Sequence, residues 1–416
     1  MNLYLINATN SANAYGLGTY FKELTQVLKD ADISIHMVHL HSTHTEFEIV
    51  KTEDVENWYV PEVRDGNTFV GTTQNLEDYC LNVAYLLRLY IKDTKDLIFH
   101  FNFNNYHFLA KKLKSFFACK TLTTIHYTKW AFDLHGNLSR LHALRKKPEN
   151  QRTLSEQLLY KADEYEVMLY KEVDSVIVLS KNMQNLLCSE YKIEPDKTII
   201  IPNGLEDINP QTDTNKAFLR KKWCISENES LILFTGRLHA MKGPDYLIRA
   251  FRKVLKKKPN CRLIIAGNGA YDSCMKECED IWKHVTWTGR VDKDILYELY
   301  AVADIGVMPS LYEPFGYVAV EMMMHGLPIV ATAKSGLNEV VDDTCGLKVP
   351  IIEYPDRVEI DTDLLAEKML YLLQHPEERQ RMSKNARKRY ETVYTAEIFR
   401  QNMLDYYRSL FHSTKQ

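Results

Sequence analysis

Four charged side chains in the second half of the sequence could do chemistry together. Arg237 and Lys242 stand five positions apart in the segment GRLHAMKG, and Glu313 and Glu321 stand eight apart in EPFGYVAVE. Two cations at one edge of a sheet can neutralise the charge that develops on a departing diphosphate. Two carboxylates at this separation can hold different hydroxyl groups of an extended ligand. These residues therefore predict a site for a hydroxyl-bearing ligand with a diphosphate leaving group.

The position of the two cations strengthens this interpretation. An arginine and a lysine five apart are by themselves more often solvated than catalytic, but here they follow a predicted strand and the glycine turn at Gly236. The segment is not a Walker P-loop, because its lysine precedes the glycine and no Ser or Thr follows.

The carboxylate segment also follows a predicted strand, so Glu313 is expected in a strand-to-helix loop. A helix is predicted from about Phe315, and its first free amides, near Gly316 to Val318 and including Tyr317, should face outward at the carboxyl edge of the sheet. Such a helix start is an anion site. Glu321 is expected roughly two turns inside this helix.

The elements that must position these residues follow an alternating pattern. Short apolar runs alternate with longer stretches of helical period, which is typical of βαβ units and parallel sheets. Phe21, Leu24 and Leu28 predict the first helix, and a terminal helix is predicted from Ala396 to Leu410. The predicted strands are Leu3–Ile6, Ile33–Val38, Leu97–Phe101, Thr121–Ile125, Ser175–Leu179, Thr198–Ile201, Leu231–Thr235, Arg262–Ala266, Val285–Thr288, Ile305–Pro309, Pro328–Ala331 and Leu347–Val349.

The length of 416 residues exceeds the usual size of one core, so two domains of roughly 200 residues are expected. The turn-forming residues at 201–204 mark the boundary. We predict an α/β protein with two Rossmann-like domains, 1–202 and 203–394, a cleft between them, and a C-terminal helix, 395–416, packing back toward the first domain. Eleven of the sixteen glycines lie between Gly204 and Gly346, which points to a nucleotide site in the second domain.

Charge and composition exclude several classes. The formal net charge of −3 lacks the basic excess of nucleic-acid-binding proteins. The sequence opens as a strand without a signal peptide, and no apolar run is long enough to cross a bilayer, so we expect a cytoplasmic protein. The eight cysteines are scattered and predict reduced core thiols. Cys274 and Cys278, with His284 nearby, would make at most half a zinc site, because no second ligand pair follows.

One basic segment leaves a second option open. Residues 138–147 mix leucines with Arg140, Arg145, Lys146 and Lys147, and could lie on an anionic membrane or guide an acceptor. A solvated basic helix is the favoured interpretation, because one short cluster cannot hold a protein on a membrane. Peripheral contact with the inner face of a membrane remains the minor alternative.

The two charged segments resemble the signature of the GT-B glycosyltransferases of family 4, whose E-x7-E motif is matched by Glu313 and Glu321. The similarity covers most of the second half and, more weakly, the amino-terminal end. It implies that Glu313 contacts the transferred sugar, that Glu321 contacts the ribose, and that Arg237 and Lys242 neutralise the diphosphate. It also assigns base binding to Asn268, Gly269, Arg290 and Val291.

In the first domain the segment YGLGTY, with Gly16 and Gly18, resembles the family's glycine-rich loop but lacks its third glycine. His126 matches a family histidine that follows a central strand and points toward the donor sugar. An acidic residue is common shortly after that histidine, whereas Tyr127 and Thr128 stand here.

The resemblance implies a retaining glycosyltransferase that moves a sugar from a nucleoside-diphosphate sugar, UDP or GDP sugars being favoured, to a saccharide or lipid-linked acceptor. Turnover without a metal is expected from the residues themselves, because Arg237, Lys242 and the helix start near Gly316 supply positive charge and no paired aspartates follow a predicted strand. No cofactor, metal or nucleic-acid partner is expected. A nicotinamide dehydrogenase is disfavoured, because Phe21 stands where the third glycine belongs and no acidic residue ends the second strand. The second alternative is a non-catalytic relative that binds a nucleotide sugar as a partner subunit. Retention of all four central charged residues argues against it.

Overall fold

The computed structural model describes residues 1–8, 16–52, 54–62, 73–208 and 213–411, and only the backbone at 73–75 and 213–215. The chain forms two compact units. Unit 1 comprises Met1–Trp130, Leu144–Gly204 and Ala396–Gln416, and unit 2 comprises Ala131–Ala143 and Leu205–Thr395. The C-terminal helix therefore groups with unit 1. Residues 131–143, which the sequence assigned to the first domain, make their contacts within unit 2.

Unit 1 is built on a sheet with helices along the intervening chain. Its strands are β1 Asn2–Ala8, β2 Ser34–Ser42, β3 Glu48–Lys51, β4 Glu56–Pro61, β5 Leu97–Phe101, β6 Cys119–Ile125, β7 Ser175–Val178 and β8 Thr198–Ile200. The helices in this part of the chain are α1 Gly16–Leu28, α2 Thr73–Tyr90, α3 His107–Phe116, α4 Lys129–Asp133, α5 Leu138–Lys146, α6 Leu154–Glu172 and α7 Lys181–Tyr191. The short helices α4 and α5 each cross a boundary between the two units.

Unit 2 repeats this architecture with a smaller sheet. Its strands are β9 Ser230–Thr235, β10 Cys261–Ala266, β11 Val285–Gly289, β12 Ile305–Met308, β13 Ile329–Thr332, β14 Gly346–Val349, β15 Ile351–Glu353 and β16 Val358–Ile360. Its helices are α8 Asp213–Lys222, α9 Pro244–Lys257, α10 Tyr271–Glu277, α11 Lys293–Val302, α12 Tyr317–Met324, α13 Leu337–Val340, α14 Thr362–Gln374 and α15 Pro376–Arg389, and the chain returns to unit 1 with α16 Ala396–Ser409.

The two main sheets are almost entirely parallel. In unit 1 the order is β3-β4-β2-β1-β5-β6-β7-β8, with only β3 antiparallel to its neighbour. In the main sheet of unit 2 the order is β11-β10-β9-β12-β13-β14, and every described pairing within this sheet is parallel. Strands β15 and β16 form a separate antiparallel pair. Both main sheets are Rossmann-like, and the order in unit 2 reverses between β9 and β12. Ligands of such sheets bind beyond the carboxyl ends of the strands at this switch point.

Burial explains why these segments form strands and helices. The central strands β9, β12 and β13 are buried almost throughout, as expected for strands covered by helices on both faces. Helix α9 presents Leu247, Phe251 and Val254 to the core at helical spacing and ends in lysines that face solvent. All the predicted strands are present, with ends that shift by a few residues. The short strands β3, β4, β15 and β16 were not predicted.

Candidate functional site

The loops that follow β9 and β10 pack backbone against backbone. Leu238 N donates to Asn268 O at 2.9 Å, and Ala270 N donates to Leu238 O at 2.8 Å. This contact needs glycine, because a Cβ on Gly267 would lie 1.8 Å from Gly236 O and one on Gly269 2.3 Å from Leu238 O. The carboxyl ends of β9 and β10 therefore form one continuous rim.

Lys242 lies on a tight turn at the switch point. His239 caps a single 3-10 turn over Ala240–Lys242 by accepting from Met241 N at 3.2 Å. Gly243 follows with a φ of 66°, and a Cβ there would lie 2.0 Å from Pro309 O. The turn after β9 is thereby pressed against the residue that follows β12. This close approach positions Lys242 beside the loop that carries Glu313.

Glu313 is held from two sides. Its carboxylate accepts a hydrogen bond from the Lys242 ammonium in a half-buried ion pair. Its backbone is clamped by Ser335, whose hydroxyl accepts from Glu313 N at 3.0 Å and donates to Glu313 O at 2.8 Å. The structure thus brings together two of the predicted residues, one from each segment, at the edge where β9 and β12 diverge.

Helix α12 starts later than the sequence predicted. Gly316 has a φ of 101°, so it lies outside the helix and α12 begins at Tyr317 rather than near Phe315. Phe315 is buried, and the half-buried Tyr317 and Val318 form the first turn. Glu321 therefore lies about one turn inside the helix, not two. The first amides of the helix still open at the carboxyl edge of the sheet, where an anion is favoured.

Glu321 is almost completely enclosed, with 6% of its surface exposed. Its Oε2 accepts from Tyr300 Oη at 2.9 Å, and its Oε1 lies 3.8 Å from Lys293 Nζ. Burial raises the pKa of this carboxyl above its ordinary value, and the Lys293 charge and the Tyr300 hydrogen bond oppose that shift. Tyr300 was not singled out from the sequence.

Basic groups dominate the β9 side of the rim. Arg237 is half-buried one residue after Gly236. The pKa of His239 is lowered by burial and further by the charges of Arg237 and Lys242, while Asp133 opposes them. The cations Arg237 and Lys242 therefore share this short segment, which suits it to an anionic group, while the lowered pKa of His239 favours a neutral ring beside them.

The other residues assigned by resemblance lie along the same edge. Asn268 is exposed, and its side chain accepts from Gly269 N at 2.9 Å. Arg290 is exposed and Val291 half-buried, directly after Gly289, whose backbone oxygen accepts from Gly267 N at 2.9 Å. The loops after β9, β10 and β11 are consequently joined in the order of the strands.

Unit 1 carries the remaining predicted residues. Gly16 and Gly18 lie in the first turn of α1. His126 follows β6, and its Nε2 donates to Asn102 Oδ1 at 3.0 Å, since an amide oxygen only accepts. Its ring packs on Tyr20, with centroids 4.4 Å apart, and burial lowers its pKa to about 3. His126 is therefore a neutral imidazole near pH 7.

A segment that the sequence did not assign to the site belongs to unit 2. The Phe132 ring lies 4.9 Å from the His239 ring. Gly136 has a φ of 67°, and a Cβ there would lie 2.3 Å from the Tyr312 ring. Asn137 is fully buried and donates to Tyr354 O at 2.7 Å. Residues 131–143 thus contact both of the turns that carry Lys242 and Glu313.

The basic segment has structural partners. Arg145 forms a bidentate ion pair with the buried Asp163, with N–O distances of 2.7 and 2.9 Å. Lys147 donates hydrogen bonds to both oxygens of the Glu156 carboxylate, at 2.7 and 2.9 Å. Leu141 and Leu144 are buried. Part of the predicted basic surface is therefore used inside unit 1, and these contacts give no support to membrane binding. Among the described residues, no helix combines the length and apolar character needed to cross a bilayer.

The cysteine pair is part of the core of unit 2. Cys274 and Cys278 are buried, and Cys274 Sγ donates to Asp245 Oδ1 at 3.2 Å. Burial raises the pKa of the Cys274 thiol to about 12, which disfavours the thiolate that a metal needs. Within the ranges that the structure describes, no three His, Cys, Asp or Glu side chains cluster as a metal site would require.

Comparisons with known proteins match both halves of the chain to glycosyltransferases. The family model Glycosyltransferase Family 4 matches residues 14–207, and Glycosyl transferases group 1 matches residues 215–389. An uncharacterised glycosyltransferase of Methanocaldococcus jannaschii is 39% identical over 173 residues, which cover 40% of this chain and 44% of that protein. The D-inositol 3-phosphate glycosyltransferase of Mycobacteroides abscessus is 32% identical over 213 residues, covering 49% and 47%. The chain thus spans about half the length of these curated relatives.

The fold is also that of solved structures. Sucrose-phosphate synthase from Thermosynechococcus elongatus superimposes with a TM-score of 0.74 at 21% sequence identity, covering 98% of this chain and 99% of that chain. At this identity the likeness concerns the fold.

Proposed function

Because the chain belongs to the GT-B glycosyltransferases of family 4, we propose that it transfers a sugar from a nucleoside-diphosphate sugar to a saccharide or lipid-linked acceptor with retention of anomeric configuration. UDP and GDP sugars are the donors to try first.

One observation carries the proposal. The Lys242–Glu313 ion pair lies at the switch point between β9 and β12, on the same edge as Arg237. A diphosphate bound beyond this edge would meet two permanent cations and the first amides of α12, which together stabilise charge on a leaving group. Glu313, oriented by Lys242, is then available to hydroxyl groups of the sugar.

Other residues contact the remaining parts of the donor. Glu321 contacts the ribose in this proposal, and the loops with Asn268, Gly269 and Arg290 contact the base. His126, as a neutral imidazole, contacts the transferred sugar. Cations from the protein supply the charge that a metal would otherwise supply, so we propose turnover without a divalent metal.

The engagement of the two motif carboxylates supports same-face attack. A double displacement needs a carboxylate nucleophile close to the anomeric carbon. Glu313 is bonded to Lys242, and Glu321 is buried against Tyr300. In the proposed step the bond from the anomeric carbon to the phosphate oxygen breaks, the acceptor oxygen attacks from the same face, and the departing phosphate oxygen takes the acceptor proton. The protein contributes positioning and charge.

An array of UDP and GDP sugars tests the proposal, scored for release of nucleoside diphosphate with and without an acceptor mixture of mono- and disaccharides. We expect release from one donor class, unchanged by chelator and lost in Arg237→Ala. Release that chelator abolishes and manganese restores would contradict metal independence. Binding of a nucleotide sugar with no release under any condition would favour the alternative of a non-catalytic subunit.

A further inference from the structure

Tyr300 connects the end of β9 to the buried carboxylate of α12. It lies on α11 with 1% of its surface exposed. Its hydroxyl is 2.9 Å from Glu321 Oε2 and 3.0 Å from Thr235 Oγ1. Thr235 is the last residue of β9, directly before Gly236 and Arg237. One hydroxyl group thus joins two elements that carry proposed donor contacts.

The direction of these hydrogen bonds follows from chemistry. An ionised carboxylate can only accept, so the Tyr300 hydroxyl donates its proton to Glu321. The Tyr300 oxygen can then accept from the Thr235 hydroxyl, which leaves both hydroxyls satisfied. A buried tyrosine hydroxyl needs such partners. The chain of donors ends on Glu321 and favours its charged form.

This arrangement leaves one carboxylate oxygen for a ligand. Oε2 is taken by Tyr300, and Oε1 lies 3.8 Å from Lys293 Nζ, beyond hydrogen-bonding distance. The His325 ring packs on the Tyr300 ring with centroids 5.5 Å apart, so the tyrosine itself is held in place. A fixed carboxylate plane presents Oε1 in one orientation, which is the condition for recognising a particular hydroxyl group.

We propose that Tyr300 is a positioning residue for donor binding, which holds Glu321 so that its free oxygen receives a ribose hydroxyl of the nucleotide. The inference rests on the proposed function, because it takes the ribose contact of Glu321 from there. Tyr300 itself touches no substrate. Its hydroxyl sets how well the site distinguishes a ribonucleotide from a deoxyribonucleotide.

The test measures dissociation constants of UDP and GDP, and of their 2′-deoxy and 3′-deoxy forms, by calorimetry. Tyr300→Phe removes only the hydroxyl. Tyr297→Phe removes the same kind of atom from a neighbouring ring on the same helix, with centroids 6.3 Å apart, and is the matched control. A hydrogen bond to a charged group is worth on the order of tenfold in affinity. Tyr300→Phe should therefore bind the ribonucleotide about tenfold more weakly and lose most of its preference over one deoxy form, and Tyr297→Phe should match the wild type.

The pH dependence gives a readout that a merely structural role would not move. Burial raises the pKa of Glu321, while the Tyr300 hydrogen bond and the Lys293 charge lower it. Loss of the hydroxyl lets that pKa rise further, so the carboxylate is protonated at higher pH. The fall of nucleotide affinity on acidification should begin at a higher pH in Tyr300→Phe than in the wild type and in Tyr297→Phe. Thr235→Val, which removes the second hydrogen bond, should shift it less.

The outcomes separate this inference from the proposed function. Wild-type affinity, selectivity and pH profile in a folded Tyr300→Phe would overturn the role of Tyr300, whatever the activity. If the wild type binds nucleotide with the expected variant pattern but releases no product, the positioning role stands and the proposed activity fails. If the wild type binds no nucleotide, both fail. Should Tyr300→Phe not fold, the Thr235→Val profile decides, and an unchanged profile overturns the inference.

Discussion

Replacing Gly243 by alanine tests how the switch point positions Lys242. Gly243 has a φ of 66°, and an added Cβ would lie 2.0 Å from the backbone oxygen of Pro309, where real Cβ contacts stay above 3.0 Å. Because Pro309 O is a backbone atom and cannot rotate away like a side chain, either the turn after β9 or the segment after β12 must move by about 1 Å. Lys242 precedes this glycine and would move with the turn.

Gly289 offers a control that separates the cost of backbone strain from the cost of the steric clash. It has a φ of 68°, but a Cβ there meets only Tyr271 Oη at 3.8 Å, an ordinary contact. Gly289→Ala therefore carries the left-handed backbone strain alone, about 1 kcal/mol. Gly243→Ala adds the cost of forcing an atom into packed backbone, so it should lower the free energy of unfolding by about 3 kcal/mol.

The assay combines urea denaturation with initial rates of nucleoside diphosphate release. A displacement of about 1 Å at a catalytic group can lower the rate about 100-fold. We expect Gly243→Ala to lose about that much in kcat and Gly289→Ala to stay within a few-fold of the wild type. Equal stability of the two variants, with wild-type kcat in Gly243→Ala, would refute the claim that this close approach sets the position of Lys242.

Three further outcomes are expected. Arg237→Ala and Lys242→Ala should each lower kcat about 100-fold or more, because each removes charge stabilisation that matters most as the diphosphate departs; an unchanged kcat with a higher donor KM for Lys242→Ala would remove it from the chemical step. Glu321→Ala should weaken donor binding and leave kcat nearly unchanged, since a ribose contact serves ground and transition states alike. A decrease confined to kcat would argue against a ribose contact by Glu321. The free energy of unfolding should fall as pH drops below about 6.5, because burial lowers the pKa values of His100 and His126 to about 3 and only the unfolded chain takes up these protons. Urea midpoints that stay constant or rise between pH 7 and pH 4.5 would contradict this.

The sequence was sufficient to place the central charged residues at one edge. Runs such as Ser230–Thr235 and Ile305–Met308 are buried, short and followed by glycine or proline, so their strand character is visible locally. Parallel topology then puts Arg237, Lys242 and Glu313 at the same edge. The ion pair between Lys242 and Glu313 was not foreseen, because it depends on a backbone contact between residues far apart in the chain.

The features that the sequence missed depend on distant contacts or weak local signals. All four residues of Glu48–Lys51 are exposed, so this strand shows no apolar alternation. The later start of α12 reflects the positive φ of Gly316, two residues after Pro314, whose backbone oxygen approaches Gly336 closely. The charges of Arg145 and Lys147 predicted a surface patch, because their partners Asp163 and Glu156 on α6 are not evident from the local sequence. Tyr300 is 21 positions before Glu321, and nothing local distinguishes it from a core tyrosine.

The most direct test of the proposed mechanism is the anomeric configuration of the first product. Proton NMR of freshly formed product from an α-linked donor should show an α linkage, because the proposed step attacks from the face that the diphosphate leaves and uses neither Glu313 nor Glu321 as nucleophile or base. A β-linked initial product would contradict that mechanism and the assignment of the site on which it rests.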